Sequence, residues 1–211
     1  HVLKKITIKK AYYIKLGEKG KYEDICLREN QDMRLGYYEI PHELALSKDE
    51  NKIRDIYKKK GLKDGPATNH ARQVLKFYGD ADTWITFSKG ELWWTQDVSQ
   101  EVKYLGDNPE IHPYGSRLRK VKSWKNKSIK GDPLNITELS GLLTKVAAYR
   151  GTICEIKDGS LDYLTRRING EDIPEVEDIK QAKKAFLKKT ESLIKLLTWQ
   201  DFDENGGAIM Y

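Results

Sequence analysis

The amino-acid sequence predicts an α+β fold, and three observations indicate it. Short segments that alternate between apolar and polar residues predict β-strands, the clearest being a hairpin from Asp82 to Gln96. Segments with apolar residues at helical spacing lie between these strands. The longest of them, from Val176 to Trp199, predicts a long carboxy-terminal helix. Because 211 residues can bury a sizeable core, we expect one domain with an appendage rather than two full domains.

Several elements are predicted ahead of the hairpin. In chain order they are a strand from Ile6 to Leu16, a short helix from Tyr22 to Glu29, a strand from Arg34 to Ile40 and a helix from Ser47 to about Lys60. Ser47 and Glu50 have the spacing of a capping box, which predicts the start of that helix. Asp64-Gly65-Pro66 predicts a turn, after which Thr68 or Asn69 is expected to cap another helix.

The hairpin carries aromatic residues on both of its faces. Lys89-Gly90 fits a two-residue turn, because glycine accepts a positive φ angle. This register places the apolar residues of one face together, namely Ile85, Phe87, Leu92 and Trp94. The opposite face carries Trp84, Thr86, Ser88, Glu91, Trp93 and Thr95. The first face is expected to belong to the core, and the second to stack a flat ligand and hydrogen-bond its edge. The alternative is that Trp84 and Trp93 pack beneath a loop or helix.

Further strands and helices follow the hairpin. They are a loop or edge strand from Asp97 to Ser116, a strand from Arg117 to Trp124, a helix from Ile136 to Ala148, a strand from Thr152 to Ile156 and a helical turn from Tyr163 to Ile168. Basic and apolar residues alternate between Arg117 and Trp124, which predicts one cationic face. Such a face suits nucleic-acid phosphates, but lysines also protect solvated edge strands from aggregation.

Composition and motifs exclude several classes of protein. The formal net charge is +6, which suits a polyanionic partner or serves solubility. The two cysteines, Cys26 and Cys154, have no partner at metal or redox spacing and predict buried thiols in a cytoplasmic protein. No apolar stretch is long enough for a membrane span, and no signal peptide is recognisable. Scattered histidines and the lack of phosphate-loop, nucleophile-elbow or dinucleotide motifs predict no metal, no cofactor and no catalytic residue.

The remaining chemistry is typical of a nucleobase pocket with a phosphate rim. Aromatic and edge-reading side chains form the predicted base-binding set, Tyr37, Tyr38, Asn69, Trp84, Thr86, Ser88 and Trp93. Basic side chains form the predicted phosphate-binding set, Arg72, Arg117, Arg119, Lys120 and Lys122. Stacking on aromatic rings holds an extruded base while polar groups read its Watson-Crick edge. Since Tyr37 and Tyr38 are adjacent on a predicted strand, one of them is expected to be buried in the core.

Several stretches also resemble a known family. The opening from Lys10 to Gly17, followed by Cys26, Asn30 and Arg34-Leu-Gly-Tyr-Tyr-Glu-Ile, resembles that of PUA-like domains of the EVE and YTH type. Thr68-Asn69 with the Trp hairpin, Arg119 to Trp124, Leu142 to Cys154 and Tyr163 to Gly170 resemble the amino-terminal part of bacterial restriction proteins that continue into an Mrr-like nuclease. The resemblance covers nearly the whole chain to Phe202.

The resemblance implies a twisted β-barrel or strongly curved sheet with surrounding helices. It implies a modified-base-binding domain over residues 1–170, a linker or docking helix over 171–202 and an irregular tail over 203–211. The expected partner is double-stranded DNA carrying a modified base, most simply a modified cytosine flipped into an aromatic cage, with a nuclease domain or subunit acting beside it. A tyrosine stands where the family often has tryptophan in the second strand, and its hydroxyl could donate to a polar adduct. The pattern departs after Phe202, so no catalytic role is carried over.

Three alternatives stay open. The same fold class also reads modified RNA, which a requirement for the 2′-hydroxyl would show. A nuclease or hydrolase would use the acidic run from Asp201 to Glu204, although this run lacks the following strand that such a site requires. A protein-interaction module would dock a partner on the lysine-rich terminal helix.

Overall fold

The structure is a computed structural model that describes residues 3–171 and 174–205. The chain divides after Glu171 into two compact units. The first unit holds two β-sheets and surrounding helices, and the second is a long helix, so the α+β class and the terminal helix are confirmed.

Seven strands make up the two sheets. They are β1 (Ala11–Ile14), β2 (Asp32–Leu35), β3 (Thr83–Ser88), β4 (Glu91–Thr95), β5 (Val98–Tyr104), β6 (Arg117–Val121) and β7 (Ile153–Ile156). The four-stranded sheet has the order β4-β3-β1-β7, in which β1 is parallel to β3 and antiparallel to β7. The antiparallel three-stranded sheet has the order β2-β6-β5. Strand pairing among the described residues leaves these as two separate sheets and closes no barrel.

Six α-helices accompany the sheets in the described part of the chain. They are α1 (His42–Leu46), α2 (Glu50–Lys59), α3 (Asp64–Phe77), α4 (Gly141–Thr144), α5 (Asp158–Ile168) and α6 (Pro174–Asn205). A π-helical segment, Asp24–Asn30, lies between β1 and β2 where a short helix was predicted.

Two helices begin at other residues than the sequence predicts. Asp49, not Ser47, caps α2, because its side chain accepts a hydrogen bond from the backbone N–H of Lys52. The predicted turn at Asp64-Gly65-Pro66 is the first turn of α3, where proline is tolerated because its missing N–H has no helical partner. Asn69 therefore lies inside α3 and does not cap it.

Two other predicted elements are shorter or broken. The second strand ends at Leu35 rather than Ile40, so Tyr37 and Tyr38 lie in the connection beyond β2. The predicted helix from Ile136 to Ala148 is divided into two 3-10 turns and the short helix α4.

The hairpin of β3 and β4 has the predicted register. Ile85 pairs with Trp94, Thr86 with Trp93, and Trp84 with Thr95. Lys89 and Gly90 both have positive φ angles, 49° and 78°, as a tight hairpin turn requires. The turn chemistry and the alternation therefore predicted this element correctly.

Core residues cover both faces of the four-stranded sheet. On one face, Tyr12, Ile14 and Trp84 join a large cluster with α2 and α3. On the other, Ile85 and Trp94 join a second cluster with α5. The sheet is therefore an interior layer, which explains why all four residues of β1 are buried.

The second unit is α6, which extends beyond the predicted helix at both ends. Its described side chains include exposed apolar residues, among them Phe186, Leu187 and Leu193. Of the tail predicted to be irregular, 203–205 belong to α6 and 206–211 lie outside the described residues. In the described part of the chain, none of the helices has the length and apolar character needed to cross a membrane.

Candidate functional site

The hairpin face that was predicted to bind a base is part of the core. Trp84 is 0% exposed and meets the ring of Tyr12 edge-on, with centroids 5.2 Å apart. Thr86 and Ser88 on the same face are also buried. The prediction that these three residues contact a ligand is corrected, because β3 is an internal strand with both faces covered.

Trp93 is covered by the π-helical segment Asp24–Asn30. The guanidinium carbon of Arg28 lies 5.4 Å from the centroid of the Trp93 ring, and its Nη2 donates to Ser88 Oγ over 3.0 Å. Asp24 holds Arg28 there through a 2.8 Å ion pair. Trp93 is therefore half-buried under a cation, which is the alternative arrangement considered from the sequence.

Two predicted phosphate ligands are buried as well. Arg117 is 0% exposed and donates to the carbonyl oxygens of Tyr37 and Ile40 and to the hydroxyl of Tyr78. Arg119 is 1% exposed and donates to backbone carbonyls of Ser99, Phe77 and Gly79. Burial lowers the pKa of Arg119 to about 10. Both arginines tie β6 to neighbouring segments, so the prediction that they hold phosphates is wrong.

The other predicted phosphate ligands face solvent. Lys120 and Lys122 are exposed, and Arg72 forms a 2.8 Å ion pair with Glu50 on the exposed surface. Asn69 is exposed on α3, where its side-chain oxygen lies 3.5 Å from the hydroxyl of Tyr149.

A different site emerges from three segments that are distant in sequence. It is a cavity of about 500 Å³, here called the tyrosine cavity. Its lining residues are Lys15, Gly17, Glu18, Lys21, Tyr22, Arg34, Gly36, Tyr37, Tyr38, Arg150, Gly151 and Thr152. Tyr37 and Tyr38 are the two members of the predicted base-binding set that it contains.

Strand pairing brings two of these three segments together, the one that follows β1 and the one that precedes β7. The pairing of β1 with β7 continues beyond the strands, since the backbone N–H of Lys15 donates to the Thr152 carbonyl over 2.7 Å. Lys15 Nζ also donates to the Tyr149 carbonyl over 2.9 Å. Gln73 on α3 accepts from the backbone N–H groups of Thr152 and Ile153, which fixes the segment leading into β7.

Two backbone conformations shape the cavity wall. Gly17 has φ 82°, and a Cβ atom there would lie 2.7 Å from Lys21 Cγ and 2.9 Å from Tyr22 Cγ. Only glycine therefore allows the chain to turn while Tyr22 lines the cavity. Tyr37 has φ 40°, a conformation that costs about 1 kcal/mol or more for a residue with a side chain.

A polar and aromatic network surrounds Tyr37. Its hydroxyl lies 2.9 Å from His70 Nδ1. The His70 ring stacks on Tyr57 with centroids 4.8 Å apart, and Tyr57 donates to Glu39 over 2.6 Å. The carbonyl of Tyr37 accepts from Arg117 over 3.1 Å. These contacts offset the backbone strain and hold Tyr37 at the cavity.

The hydroxyl of Tyr38 is both a hydrogen-bond donor and an acceptor, and these two bonds fix the side chain. The O–H donates to the carbonyl of His112 and accepts from the backbone N–H of Gly115 over 2.9 Å. Its single proton is therefore engaged within the protein. The expected hydrogen bond from Tyr38 to a polar adduct is not available in this arrangement, and its ring is the part that lines the cavity.

Charge in the cavity is predominantly positive. Lys15, Lys21, Arg34 and Arg150 are cationic, whereas Glu18 is the acidic member of the lining. Arg34 is neutralised by buried Asp32, whose carboxylate lies 3.0 Å from its guanidinium. Lys21 and Arg150 are exposed residues of the lining, and Lys21 Nζ lies 5.3 Å from the centroid of the Tyr22 ring.

Burial raises the pKa of Tyr22, Tyr37 and Tyr57 above the ordinary value of 10 and that of Tyr13 to about 12. The folded protein therefore favours neutral phenols. This stabilisation is complete below pH 10 and is lost as the pH rises above it, because the unfolded chain then releases protons more readily.

We expect the melting temperature to fall steeply above about pH 10 and tyrosinate absorbance to appear with unfolding. Ionisation of all tyrosines near pH 10 in the folded protein would contradict this.

Sequence reasoning missed most of the cavity. Lys15, Tyr22 and Arg150 were not singled out as site residues from the sequence. The signal for them was the glycine at position 17 followed by Tyr22, but only the pairing of β1 with β7 brings Arg150 to the same place.

Cysteine and metal chemistry add nothing to this site. Cys26 is buried and Cys154 half-buried, and both are free thiols. Among the described residues, His, Cys, Asp and Glu form no group of three or more that could hold a metal ion.

Comparison of the chain with protein-family models, with curated proteins and with solved structures gives no match in any of the three.

Proposed function

We propose that the tyrosine cavity of a PUA-like domain binds a modified base, most simply a modified cytosine, that has been flipped out of double-stranded DNA. One observation carries this proposal: the partly buried Tyr37 and Tyr38 and the buried Tyr22 line a single cavity whose charged members are predominantly cationic. Aromatic surface stacks a base regardless of its sequence, and cations attract the flanking phosphates.

The size of the cavity supports a ligand of this class. Its volume of about 500 Å³ is within the range of small-molecule sites and exceeds what an unmodified pyrimidine fills. The additional space suits a substituent on the base. Because the Tyr38 hydroxyl already donates within the protein, the tyrosines contribute mainly apolar ring surface.

The polar lining favours a base with an exocyclic amino group, such as cytosine or adenine, over thymine. Glu18 lines the cavity and carries a carboxylate, which accepts hydrogen bonds only. Cytosine offers an N4 amino donor, and Glu or Asp is the usual acceptor for it. Thymine presents a carbonyl at the same position, which a carboxylate would repel.

The rim supports a nucleic-acid ligand rather than a free base. Lys21 and Arg150 are exposed and line the cavity, so phosphates on either side of an extruded nucleotide would meet them. Lys120 and Lys122 are also exposed but do not line the cavity. Substitutions in these two pairs of cations therefore distinguish binding at the cavity from binding along β6.

Fluorescence polarisation with matched duplexes tests this proposal. The duplexes carry cytosine, 5-methylcytosine, 5-hydroxymethylcytosine or its glucosylated form, and an RNA of the same sequence serves as a control. We expect the protein to prefer one modified duplex. Tyr37→Ala should weaken that complex by about 1–3 kcal/mol, roughly five- to hundredfold, because a stacking wall is removed.

Cation variants provide the matched control. Lys21→Gln and Arg150→Gln should weaken all duplexes and lower the salt dependence, by about 0.9 in the logarithmic slope for each phosphate that is no longer neutralised. Lys120→Gln and Lys122→Gln should leave the affinity unchanged. Equal binding of all duplexes by the parent protein, or weakening by the β6 variants alone, would refute the cavity as the binding site.

A further inference from the structure

The loop of residues 105–116, here called the wedge loop, lies against the wall of the tyrosine cavity. Tyr38 lines the cavity, and its hydroxyl contacts the carbonyl of His112 and the N–H of Gly115. Arg34, also in the lining, lies 3.5 Å from the carbonyl of Tyr114 through its Nη1. The loop is thus attached directly to two cavity residues.

Hydrogen bonds hold the wedge loop together at its ends and in its interior. At its ends, the N–H of Leu105 donates to the Ser116 carbonyl over 2.7 Å. Inside it, three backbone N–H groups converge on Asn108, those of Glu110, Ile111 and His112. The His112 ring packs on Gly106, where a Cβ atom would lie 2.5 Å from it. Pro109 and Pro113 restrict the chain further.

This hydrogen-bonded loop presents apolar side chains to solvent. Ile111 is 69% exposed and Tyr114 is 46% exposed. A single exposed apolar residue is ordinary on protein surfaces. Here Ile111 projects from an internally hydrogen-bonded turn, whose backbone N–H groups are paired with Asn108.

The charges of the loop define what it can meet. Between Leu105 and Ser116 there are Asp107 and Glu110 but no lysine or arginine. Such a loop does not suit phosphates, whereas an aliphatic tip suits the apolar faces of stacked bases. The cations Lys21 and Arg150 remain available at the cavity for the backbone.

We propose that Ile111 is an intercalating wedge that enters the base stack of duplex DNA and fills the space left by the base extruded into the tyrosine cavity. This inference rests on the proposed function. Proteins that unstack a base step insert apolar side chains such as Ile, Leu, Phe or Met, and the insertion offsets part of the unstacking cost. The close attachment of the loop to Tyr38 would couple insertion to occupation of the cavity.

Comparing double- with single-stranded DNA tests the wedge separately from the cavity. The probes are a duplex with one 5-methylcytosine, a duplex with one 5-hydroxymethylcytosine, and the two modified strands alone. We expect Ile111→Ala to weaken binding of the preferred duplex by about tenfold or more and to leave binding of its single strand unchanged, because only the duplex needs unstacking. Ile111→Met should retain duplex binding.

Leu3→Ala is the matched control. Leu3 is 53% exposed and precedes β1, whereas the tyrosine cavity lies beyond the other end of that strand. This variant should bind both forms like the parent protein. Unchanged duplex binding by Ile111→Ala, while Tyr37→Ala weakens it, would overturn the wedge and leave the cavity standing. Equal loss for duplex and single strand would also overturn it. Failure of the parent protein to distinguish modified from unmodified DNA would overturn both proposals.

Discussion

Trp84→Ala is expected to lower the free energy of unfolding by about 3–5 kcal/mol, the usual cost of emptying a tryptophan site in a core. The residue is fully buried and packs on Tyr12 within the larger core cluster. Chemical denaturation followed by circular dichroism measures the effect. Because Trp84 does not line the tyrosine cavity, the folded fraction of the variant should keep the parent affinity for modified DNA at low temperature.

Trp84→Phe is the companion variant. The indole N–H of Trp84 is buried without a hydrogen-bond partner among the described residues, so phenylalanine removes both volume and an unsatisfied donor. Its cost should be clearly smaller than that of alanine. A stable Trp84→Ala variant that had lost only its discrimination between duplexes would instead restore Trp84 as a base-stacking residue.

Arg117→Met should destabilise the protein by about 2–4 kcal/mol, since it removes several buried hydrogen bonds at once. The guanidinium spans the connection after β2 by donating to the carbonyls of Tyr37 and Ile40. Its loss therefore frees the segment that holds Tyr37 in its strained conformation. We expect DNA affinity to fall together with stability, although Arg117 does not line the cavity.

Lys120→Met is the control for this substitution on the same strand. Lys120 is exposed, so its replacement should change stability by less than about 0.5 kcal/mol. Urea denaturation gives the stabilities and polarisation at two salt concentrations gives the binding. Unaltered stability of Arg117→Met with a reduced salt slope would show that Arg117 contacts phosphate after all.

Local patterns predicted the hairpin of β3 and β4 but not which of its faces is open. Lys89-Gly90 determines the register, and alternation divides the side chains correctly into two sets. Whether a face is exposed depends on what covers it, and here Arg28 and the π-helical segment Asp24–Asn30 cover Trp93. That contact joins residues about sixty positions apart. Side-chain periodicity and secondary-structure propensity are local properties and do not reveal such a contact.

Alternation also mispredicted the arginines of β6. A basic residue at every second position normally marks a solvated face, yet Arg117 and Arg119 point to the interior, where backbone carbonyls accept their hydrogen bonds. Arginine can donate to backbone carbonyls in place of backbone N–H groups, because its planar guanidinium carries five N–H donors. Nothing in the sequence distinguishes an arginine that donates to buried carbonyls from one that binds phosphate.

The candidate site was predicted only in part. Tyr37 and Tyr38 were recognised by residue type, but a strand was assumed to continue through them, which would have sent one inward. β2 ends at Leu35 and both tyrosines line the cavity, while Tyr37 also packs against the larger core cluster, so the expectation that one of them lies inward is met in part. The non-local pairing of β1 with β7 brings the segment of Gly17 and Tyr22 to that of Arg150.

The tyrosine cavity belongs to no single segment, since its lining comes from residues 15–22, 34–38 and 150–152. A ligand bound there connects parts of the chain that separate when the protein unfolds. It therefore acts as a reversible crosslink and must stabilise the native state, by about 2.7 kcal/mol when its free concentration is a hundred times the Kd. The melting temperature of the protein is thus itself a measure of occupancy, and mixtures of modified oligonucleotides can be screened by heat alone, before the ligand or any activity is known.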